Sequence, residues 1–131
     1  MVERQALSKG EMEVARVLWE LGTATVREVH EAFPIDRKID FATIQTYLRR
    51  LADKGYVRAR LKGRTRVYSA RIKPRTVIRE TIDDLIERLF AGEAFPLMRH
   101  LIEDGLISDE ELAALRELLD GLEKDEKYKL S

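Results

Sequence analysis

One short segment of the sequence concentrates side chains that can hydrogen-bond to nucleic-acid bases and phosphates. It contains Thr43, Gln45, Thr46, Arg49 and Arg50. A glutamine can bond to N6 and N7 of adenine, a threonine can bond to a base or place its methyl on that of thymine, and an arginine can bind guanine or a phosphate. Because base contacts come mainly from the first part of a recognition helix, we expect the first three residues to contact bases. We expect the two arginines and Lys54 to contact phosphates.

A second group of cations follows at once in the sequence. From Tyr56 onward apolar and cationic residues alternate, with Val57, Ala59 and Leu61 on one side, which predicts a half-buried strand. Gly63 permits a turn, and residues 66–70 predict a returning strand. The cations of this hairpin are Arg58, Arg60, Lys62, Arg64 and Arg66. We expect them to follow a nucleic-acid backbone or minor groove, with Arg64 at the hairpin tip as the strongest candidate.

Two helices with clear end signals precede these residues. Ser8 can cap a helix whose apolar side chains recur about every 3.6 residues, and Gly22 ends it. Thr25 and Glu28 form a capping-box pattern that opens a shorter helix, which Pro34 closes.

The third predicted helix carries the base-reading segment itself, with Asp40 as its cap and Gly55 as its stop. Its core-facing residues are expected to be Phe41, Ile44, Leu48 and Leu51. Tyr47 on its flank and Tyr68 of the hairpin are expected to be packed rather than stacked on bases. Three short helices followed by a hairpin have the order of a winged helix-turn-helix.

The chain of 131 residues has no net formal charge, but its two halves carry opposite charges. Residues 1–75 contain 17 Lys and Arg against 9 Asp and Glu, a net charge of +8, whereas residues 76–131 contain 7 against 15, a net charge of −8. The basic half suits a polyanion, and the acidic half must do different work. Solvated helix faces of unequal composition are the alternative explanation, which the clustering of cations makes weaker.

Three further amphipathic segments are predicted after the hairpin. Pro74 can stand at the first helical position of one, and Ser108 with Glu111 forms a capping box for the last. Because so few residues cannot bury their apolar stripes alone, we expect two-fold self-association. The predicted contact residues are Ile78, Ile82, Leu85, Leu89, Phe90, Met98, Leu101, Leu112, Leu115 and Leu119. The alternative is that these helices fold back onto the N-terminal helices as one core.

Together these patterns predict a mostly α-helical chain with a small β-wing. We expect a winged helix-turn-helix DNA-binding domain at residues 1–73, a helical dimerisation domain at 74–125 and a flexible tail at 126–131.

Other classes of function are disfavoured by what the sequence lacks. It has no cysteine and only two histidines, His30 and His100, so thiolate chemistry is excluded and no metal site is expected. Glycine-rich phosphate loops and hydrolase motifs are also missing, and we expect neither an enzyme nor a cofactor. No apolar run approaches the roughly 20 residues of a membrane span, and no signal-peptide pattern is present, so we expect a cytoplasmic protein without a membrane partner.

Several segments together resemble a known family. They are Leu7–Trp19, Thr43–Leu51, Lys54–Val57, Tyr68–Ser69, Phe90–Gly92 and Leu106–Leu122. Over nearly the whole chain, the sequence is similar to the penicillinase and methicillin-resistance repressors, the BlaI/MecI family. The resemblance implies a homodimeric winged-helix repressor of palindromic operators with TACA/TGTA-like arms. Thr43, Thr46 and Arg50 match family positions that face DNA.

Two departures from that family, and one difference from related repressors, bear on the properties of this chain. Ala42 and Gln45 stand where the best-known members carry Lys and Arg, which indicates a different operator preference. Those members are inactivated by cleavage of an Asn-Phe bond, and the corresponding bond here is His100-Leu101. Because the residues at this bond differ, control by the same sensor protease is left as an alternative. Related copper-responsive repressors carry a cysteine-rich motif, which this chain lacks.

Two functions therefore remain in competition. The first is a dimeric transcriptional repressor that binds double-stranded DNA and is released when the dimer is lost. The second is a winged-helix adaptor that binds an acidic protein surface without nucleic acid. Cations on both the third helix and the hairpin favour a duplex over a compact partner.

Overall fold

The computed structural model describes residues 4–124, so the tail predicted at 126–131 lies outside the described residues. The elements are α1 (Lys9–Leu21), β1 (Thr23–Thr25), α2 (Val26–Ala32), α3 (Phe41–Asp53), β2 (Val57–Lys62), β3 (Thr65–Ala70), α4 (Pro74–Phe90), α5 (Ala94–Glu103) and α6 (Asp109–Lys124). The chain divides into two compact units, Met1–Ile82 and Asp83–Ser131, and the division falls within α4. The predicted functional boundary at 73/74 stays a prediction.

Local hydrogen bonds confirm the predicted starts of α1 and α2. The Ser8 side chain accepts from the Glu11 N–H at 3.2 Å, and the Glu11 carboxylate accepts from the Ser8 N–H at 2.9 Å. Thr25 and Glu28 make the same reciprocal pair. Asp40 is the N-cap residue of α3, as predicted, but its side chain makes no capping hydrogen bond.

The core of the N-terminal unit lies between α1, α2, α3 and the sheet. Ile44, Leu48 and Leu51 are fully buried, as the helical period predicted. The prediction for Phe41 is wrong, because this first residue of α3 lies at the edge of the core and is 43% exposed. Its ring instead meets the edge of His30, with centroids 6.0 Å apart.

The sheet has three antiparallel strands in the order β1-β3-β2. Strand β1 was not predicted from the sequence, and its three residues pair with β3 through Ala24↔Tyr68. The β2-β3 hairpin closes at Lys62↔Thr65, which leaves Gly63 and Arg64 as its turn and places Arg64 at the tip. The alternation predicted that one face of β2 is buried, and this prediction is wrong beyond Val57. Leu61 is 71% exposed, since the hairpin extends past the helices.

The described part of the C-terminal unit, residues 83–124, contains the end of α4 with α5 and α6. The predicted capping box of α6 is present, since Ser108 and Glu111 exchange hydrogen bonds of 3.0 and 3.1 Å. No residue in this range is buried. Within residues 4–124, no helix has the length and apolar character needed to cross a membrane.

Candidate nucleic-acid interface

An open cleft of about 760 Å³ lies between α3 and the β2-β3 hairpin, which we call the wing. It brings two of the predicted residues of α3, Gln45 and Arg49, to the same space as Arg64 and Arg66 of the wing. Its full lining is Thr25, Val26, Arg27, Phe41, Gln45, Arg49, Leu61, Arg64, Thr65, Arg66 and Tyr68. Four arginines and no acidic residue line the cleft, so its electrostatic potential is positive.

These four arginines differ from four other cations of the same unit. Arg4, Arg16, Arg37 and Lys54 each form an ion pair with a glutamate, whereas within residues 4–124 Arg27, Arg49, Arg64 and Arg66 form none. All four side chains are exposed. Unpaired guanidinium groups on one concave surface remain available for phosphate oxygens, which they can bind in bidentate geometry.

The register of the wing separates its cations onto two faces. Leu61 stands opposite Arg66, and Ala59 opposite Tyr68, on the face that lines the cleft. Because side chains alternate along a strand, Arg58, Arg60 and Lys62 project from the other face. These three cations do not line the cleft. The structure therefore distinguishes Arg64 and Arg66 from the remaining wing cations, which the sequence pattern alone did not.

The polar face of α3 consists of two adjacent stripes. Gln45 and Arg49, four residues apart, face the cleft, whereas Thr43, Thr46 and Arg50 do not line it and lie farther round the helix. The Thr46 hydroxyl donates to the Ala42 carbonyl at 3.0 Å. With its proton in this bond, the Thr46 side chain can offer a partner only its methyl group or its oxygen as an acceptor.

Lys54 does not belong to this surface, and its predicted phosphate contact is withdrawn. Its Nζ donates to Glu11 Oε1 at 2.6 Å and to the Ala6 carbonyl at 2.9 Å. Glu11 is the one charged residue that is buried among the described residues, with 1% of its surface exposed. Burial, the largest influence, acts to raise the Glu11 pKa, but hydrogen bonds from Lys54 and Ser8 outweigh it, so the pKa lies below its ordinary value.

Tyr47 is packed, as the sequence predicted, and it explains a glycine in α1. A Cβ at position 10 would stand 2.3 Å from Cζ of Tyr47, so only Gly10 allows the ring to lie against α1 at this point. Tyr68 is likewise buried, with 2% of its surface exposed. Both tyrosines therefore help to hold α3 and the sheet in place.

The linker before α3 is fixed at two points. The His30 ring bonds to the Ile39 carbonyl at 2.9 Å, and Arg37 donates two hydrogen bonds to Glu13 of α1. The bond from Arg37 is the main reason that the Glu13 pKa is lowered. These contacts set where α3 begins, and sequence analysis did not find them because the partners are distant in sequence.

Arg27 of α2 is a functional candidate that was not predicted from the sequence. It lines the cleft together with Thr25, on the element that precedes the recognition helix. Within the described residues, no group of acidic and imidazole side chains has the arrangement of a metal site.

The predicted dimerisation residues are largely accessible in a single chain. Ile78, Ile82, Leu85, Leu89, Met98 and Leu119 are between 40% and 68% exposed, and Phe90, Leu101, Leu112 and Leu115 are half-buried. The bond predicted for cleavage, His100-Leu101, lies inside α5, and the His100 ring contacts Asp104 at 3.3 Å. A protease would need α5 to unwind locally before it could bind this segment.

Three helices, a wing and a cationic cleft beside the polar face of α3 define a winged-helix transcription regulator of the DNA-binding class. A model of the penicillinase repressor family matches residues 7–121. The chain belongs to this family, which confirms the resemblance noted from the sequence.

The chain is also similar to individual proteins. The penicillinase repressor of Bacillus licheniformis is 27% identical over 87% of this chain and 89% of its own length. The methicillin resistance regulatory protein MecI of Mammaliicoccus sciuri is 23% identical over 86% of this chain and 92% of its own length. A solution structure of B. licheniformis BlaI in monomeric form, in complex with the blaP half-operator, is 31% identical with a TM-score of 0.48, over 56% of this chain and 90% of that one.

Proposed function

We propose that this protein is a dimeric transcriptional repressor that binds an inverted-repeat operator in double-stranded DNA through α3 and the wing. The observation that carries the proposal is the shared cleft, where Gln45 and Arg49 of α3 face Arg64 and Arg66 of the wing. A duplex offers base edges to a helix in its groove and phosphates on both sides of it. A compact acidic partner would not require cations on two separate elements around a polar helix.

Each residue takes a role from its position. Gln45 reads a base, for which adenine is the geometric match, and Thr43 and Thr46 contact neighbouring bases. Thr46 acts through its methyl or as an acceptor, because its hydroxyl proton is already bonded to Ala42. The phosphate-binding arginines are Arg27, Arg49, Arg50, Arg64 and Arg66, all of them exposed. Arg27 is included because it lines the cleft.

The dimer would form through the apolar side chains of α4, α5 and α6. Their exposure leaves a surface that water covers in a single chain, and a second copy supplies a matching surface under two-fold symmetry. Two recognition helices placed about one helical turn apart would then read an inverted repeat. The family resemblance implies TACA/TGTA-like arms. Ala42 and Gln45 indicate that this protein prefers a different operator sequence from the best-known members of the family.

Release would follow from loss of the dimer, because one winged domain keeps only half of the contacts. Cleavage of His100-Leu101 by a sensor protease is one route, and the helical state of that bond is unfavourable for it. This route stays a prediction. A repressor of this kind would act in the cytoplasm.

Selection of bound sites from a random duplex pool with the full chain tests the proposal. We expect the recovered sites to be inverted repeats, and the protein to sediment as a dimer. Binding that falls steeply with salt is also expected, because roughly 6–10 phosphates would be neutralised. Failure to bind any duplex at low salt would overturn the repressor and leave the protein adaptor.

Single substitutions test the cleft. Arg64→Ala should lower affinity for operator and random duplex alike and reduce the salt slope by about one. Arg60→Ala removes the same charge from the other face of the wing and is the matched control, with a smaller expected loss. Gln45→Ala should mainly relax base choice at one position of each arm. Equal losses for Arg60→Ala and Arg64→Ala, or for Gln45→Ala on operator and random DNA, would contradict the assignment.

A further inference from the structure

Residues Arg4–Ser8, which we call the N-terminal strap, run from the start of the described chain to the cap of α1. Four contacts hold this segment against the rest of the N-terminal unit. The Gln5 carbonyl accepts from the Tyr56 hydroxyl at 2.7 Å, and the Ala6 carbonyl accepts from Lys54 at 2.9 Å. Leu7 packs on the core, and Arg4 reaches Glu80 of α4. The strap therefore connects the end of α3 to α4.

Among the four contacts of the strap, the one between Arg4 and Glu80 joins the residues that are farthest apart in the sequence. Arg4 Nη1 lies 2.6 Å from both carboxylate oxygens of Glu80, and the Arg4 side chain is only 21% exposed. Tyr56 lies near this ion pair, and both of its charges act on the Tyr56 pKa. Burial is the largest cause that raises the Tyr56 pKa, the Glu80 carboxylate raises it further, and Arg4 opposes both. Arg4, Glu80 and Tyr56 therefore lie close together where the strap meets α4.

Tyr56 also holds the connection that leads into α4. Its carbonyl accepts from the N–H groups of Arg71 and Ile72, at 2.9 and 3.3 Å. Further along α4, Val77 is buried in the core, while Ile78 and Ile82 are about half exposed. The first half of α4 is thus attached to the N-terminal unit by Val77 on one side and by the strap through Glu80.

The direction of α4 matters because the helix continues without interruption to Phe90. From Glu80 to its end it extends about 15 Å at 1.5 Å per residue. A tilt of about 10° at Glu80 would therefore displace its end by roughly 3 Å, nearly the rise of one base pair. Small changes at the strap would be transmitted to whatever the later part of α4 binds.

We propose that the N-terminal strap sets the spacing at which the dimer reads its two operator arms, with Arg4 and Glu80 as the positioning residues. This inference rests on the proposed function, since it requires two copies joined through their C-terminal helices. The proposed role of the ion pair is to hold the first half of α4 in one orientation within the N-terminal unit. Neither residue belongs to the cleft, so neither contributes to binding of a single arm.

A stabilising role of the strap would have a different signature from a positioning role. A variant that is merely less stable binds one arm and two arms more weakly, by the same factor at every spacing. A variant with a misdirected α4 binds one arm normally and loses the preference among spacings. The spacing profile therefore distinguishes the two roles.

The test uses the full chain and the arm sequence recovered by the selection described above. Affinity is measured for one arm and for inverted pairs whose centres are separated by about 10 base pairs, varied in single steps. The variants are Arg4→Glu, Glu80→Arg and the double exchange, which restores the pair and the net charge. Glu80→Ala and Asp84→Ala form a matched pair, because Asp84 lies on the same helix and pairs with Arg88 outside the strap.

We expect the affinity of Arg4→Glu and Glu80→Ala for one arm to stay within about twofold of that of the unaltered protein. Their affinity for the inverted pair at the preferred spacing should fall by roughly five- to tenfold. Their spacing profile should flatten, and the double exchange should restore it. Asp84→Ala should keep the original profile. An unchanged profile in the single variants, or no rescue by the exchange, would overturn the inference while leaving the repressor intact. A lack of spacing preference in the unaltered protein would instead overturn the proposed function and the inference with it.

Discussion

The two units of this chain bury their apolar side chains to very different extents. In the N-terminal unit, α1, α2, α3 and the sheet enclose Val14, Leu18, Ile44, Leu48 and Leu51, each with no exposed surface. In residues 83–124 no side chain is buried, although apolar residues recur along all three helices. The N-terminal unit has a core of its own, whereas the described part of the C-terminal unit has amphipathic helices without one.

This difference indicates where each unit obtains its stability. A closed core provides hydrophobic stabilisation within one chain, at about 25 cal/mol for each Å² of apolar surface removed from water. Helices with exposed apolar faces gain it only when a second surface covers them. We therefore expect the DNA-binding unit to fold independently and the C-terminal unit to depend on association, so that operator binding can be controlled by the second without damage to the first.

The largest expected effect comes from removing a core side chain of the N-terminal unit. Leu48→Ala should lower the free energy of unfolding by about 3–4 kcal/mol, because Leu48 is fully buried and its loss leaves a cavity. The matched control is Leu118→Ala in α6, where the leucine is 61% exposed. At low protein concentration this variant should lose less than about 0.5 kcal/mol. Urea unfolding at micromolar protein measures both values.

A similar loss for the two variants in dilute protein would break the comparison. It would mean that α6 is covered within the same chain, as the single-core alternative requires.

The next effect concerns the buried pair of Glu11 and Lys54. Lys54→Met should destabilise the fold by roughly 3 kcal/mol at neutral pH, because it leaves the Glu11 carboxylate buried without its cation. In the unaltered protein the Glu11 pKa is depressed, so this contribution is present above the ordinary value of 4.5 and is lost as the pH falls through the lowered pKa. The difference between the two proteins should therefore shrink below about pH 4.5.

Unfolding at a series of pH values measures this dependence, and the double variant Glu11→Gln with Lys54→Met is the control. Removing the charge along with its partner should recover part of the lost stability. A penalty for Lys54→Met that is the same at pH 7 and pH 4 would show that packing of the lysine stem, not its charge, supports the fold.

The features predicted correctly from the sequence are those that a few neighbouring residues determine. Reciprocal bonds between a cap and the residue three positions later define the starts of α1, α2 and α6, and the burial of Ile44, Leu48 and Leu51 follows from helical spacing alone. The wing tip at Arg64 is also local, because Gly63 permits the turn with a φ of 66°.

The errors concern contacts between distant parts of the chain. Strand β1 is too short for a periodic signal and exists because β3 pairs with it. Lys54 resembles the neighbouring cations in the sequence, but its partners Ala6 and Glu11 are more than forty residues away. Arg27 joins the cleft only because α2 packs beside α3, and the two faces of the wing depend on its register. Tertiary packing, not residue type, decides which cations remain free.

The smallest expected effect is the dependence of unfolding on protein concentration, which should differ between the two units. The single tryptophan, Trp19, packs on the core of the N-terminal unit, so its fluorescence reports that unit, whereas far-ultraviolet circular dichroism also reports α5 and α6. A tenfold rise in protein concentration should stabilise the dichroism transition by about 1.4 kcal/mol per mole of dimer and leave the fluorescence midpoint unchanged.

Leu85→Glu should abolish that concentration dependence, because it places a carboxylate on the apolar stripe of α4, where Leu85 is 40% exposed. Leu61→Glu makes the same change on the wing, where the leucine is 71% exposed, and should leave the dependence intact. A fluorescence midpoint that moves with concentration as far as the dichroism midpoint would mean that the two units unfold together. In that case association would stabilise the DNA-binding unit directly, and dissociation of the dimer would weaken α3 and the wing themselves as well as separate the two arms.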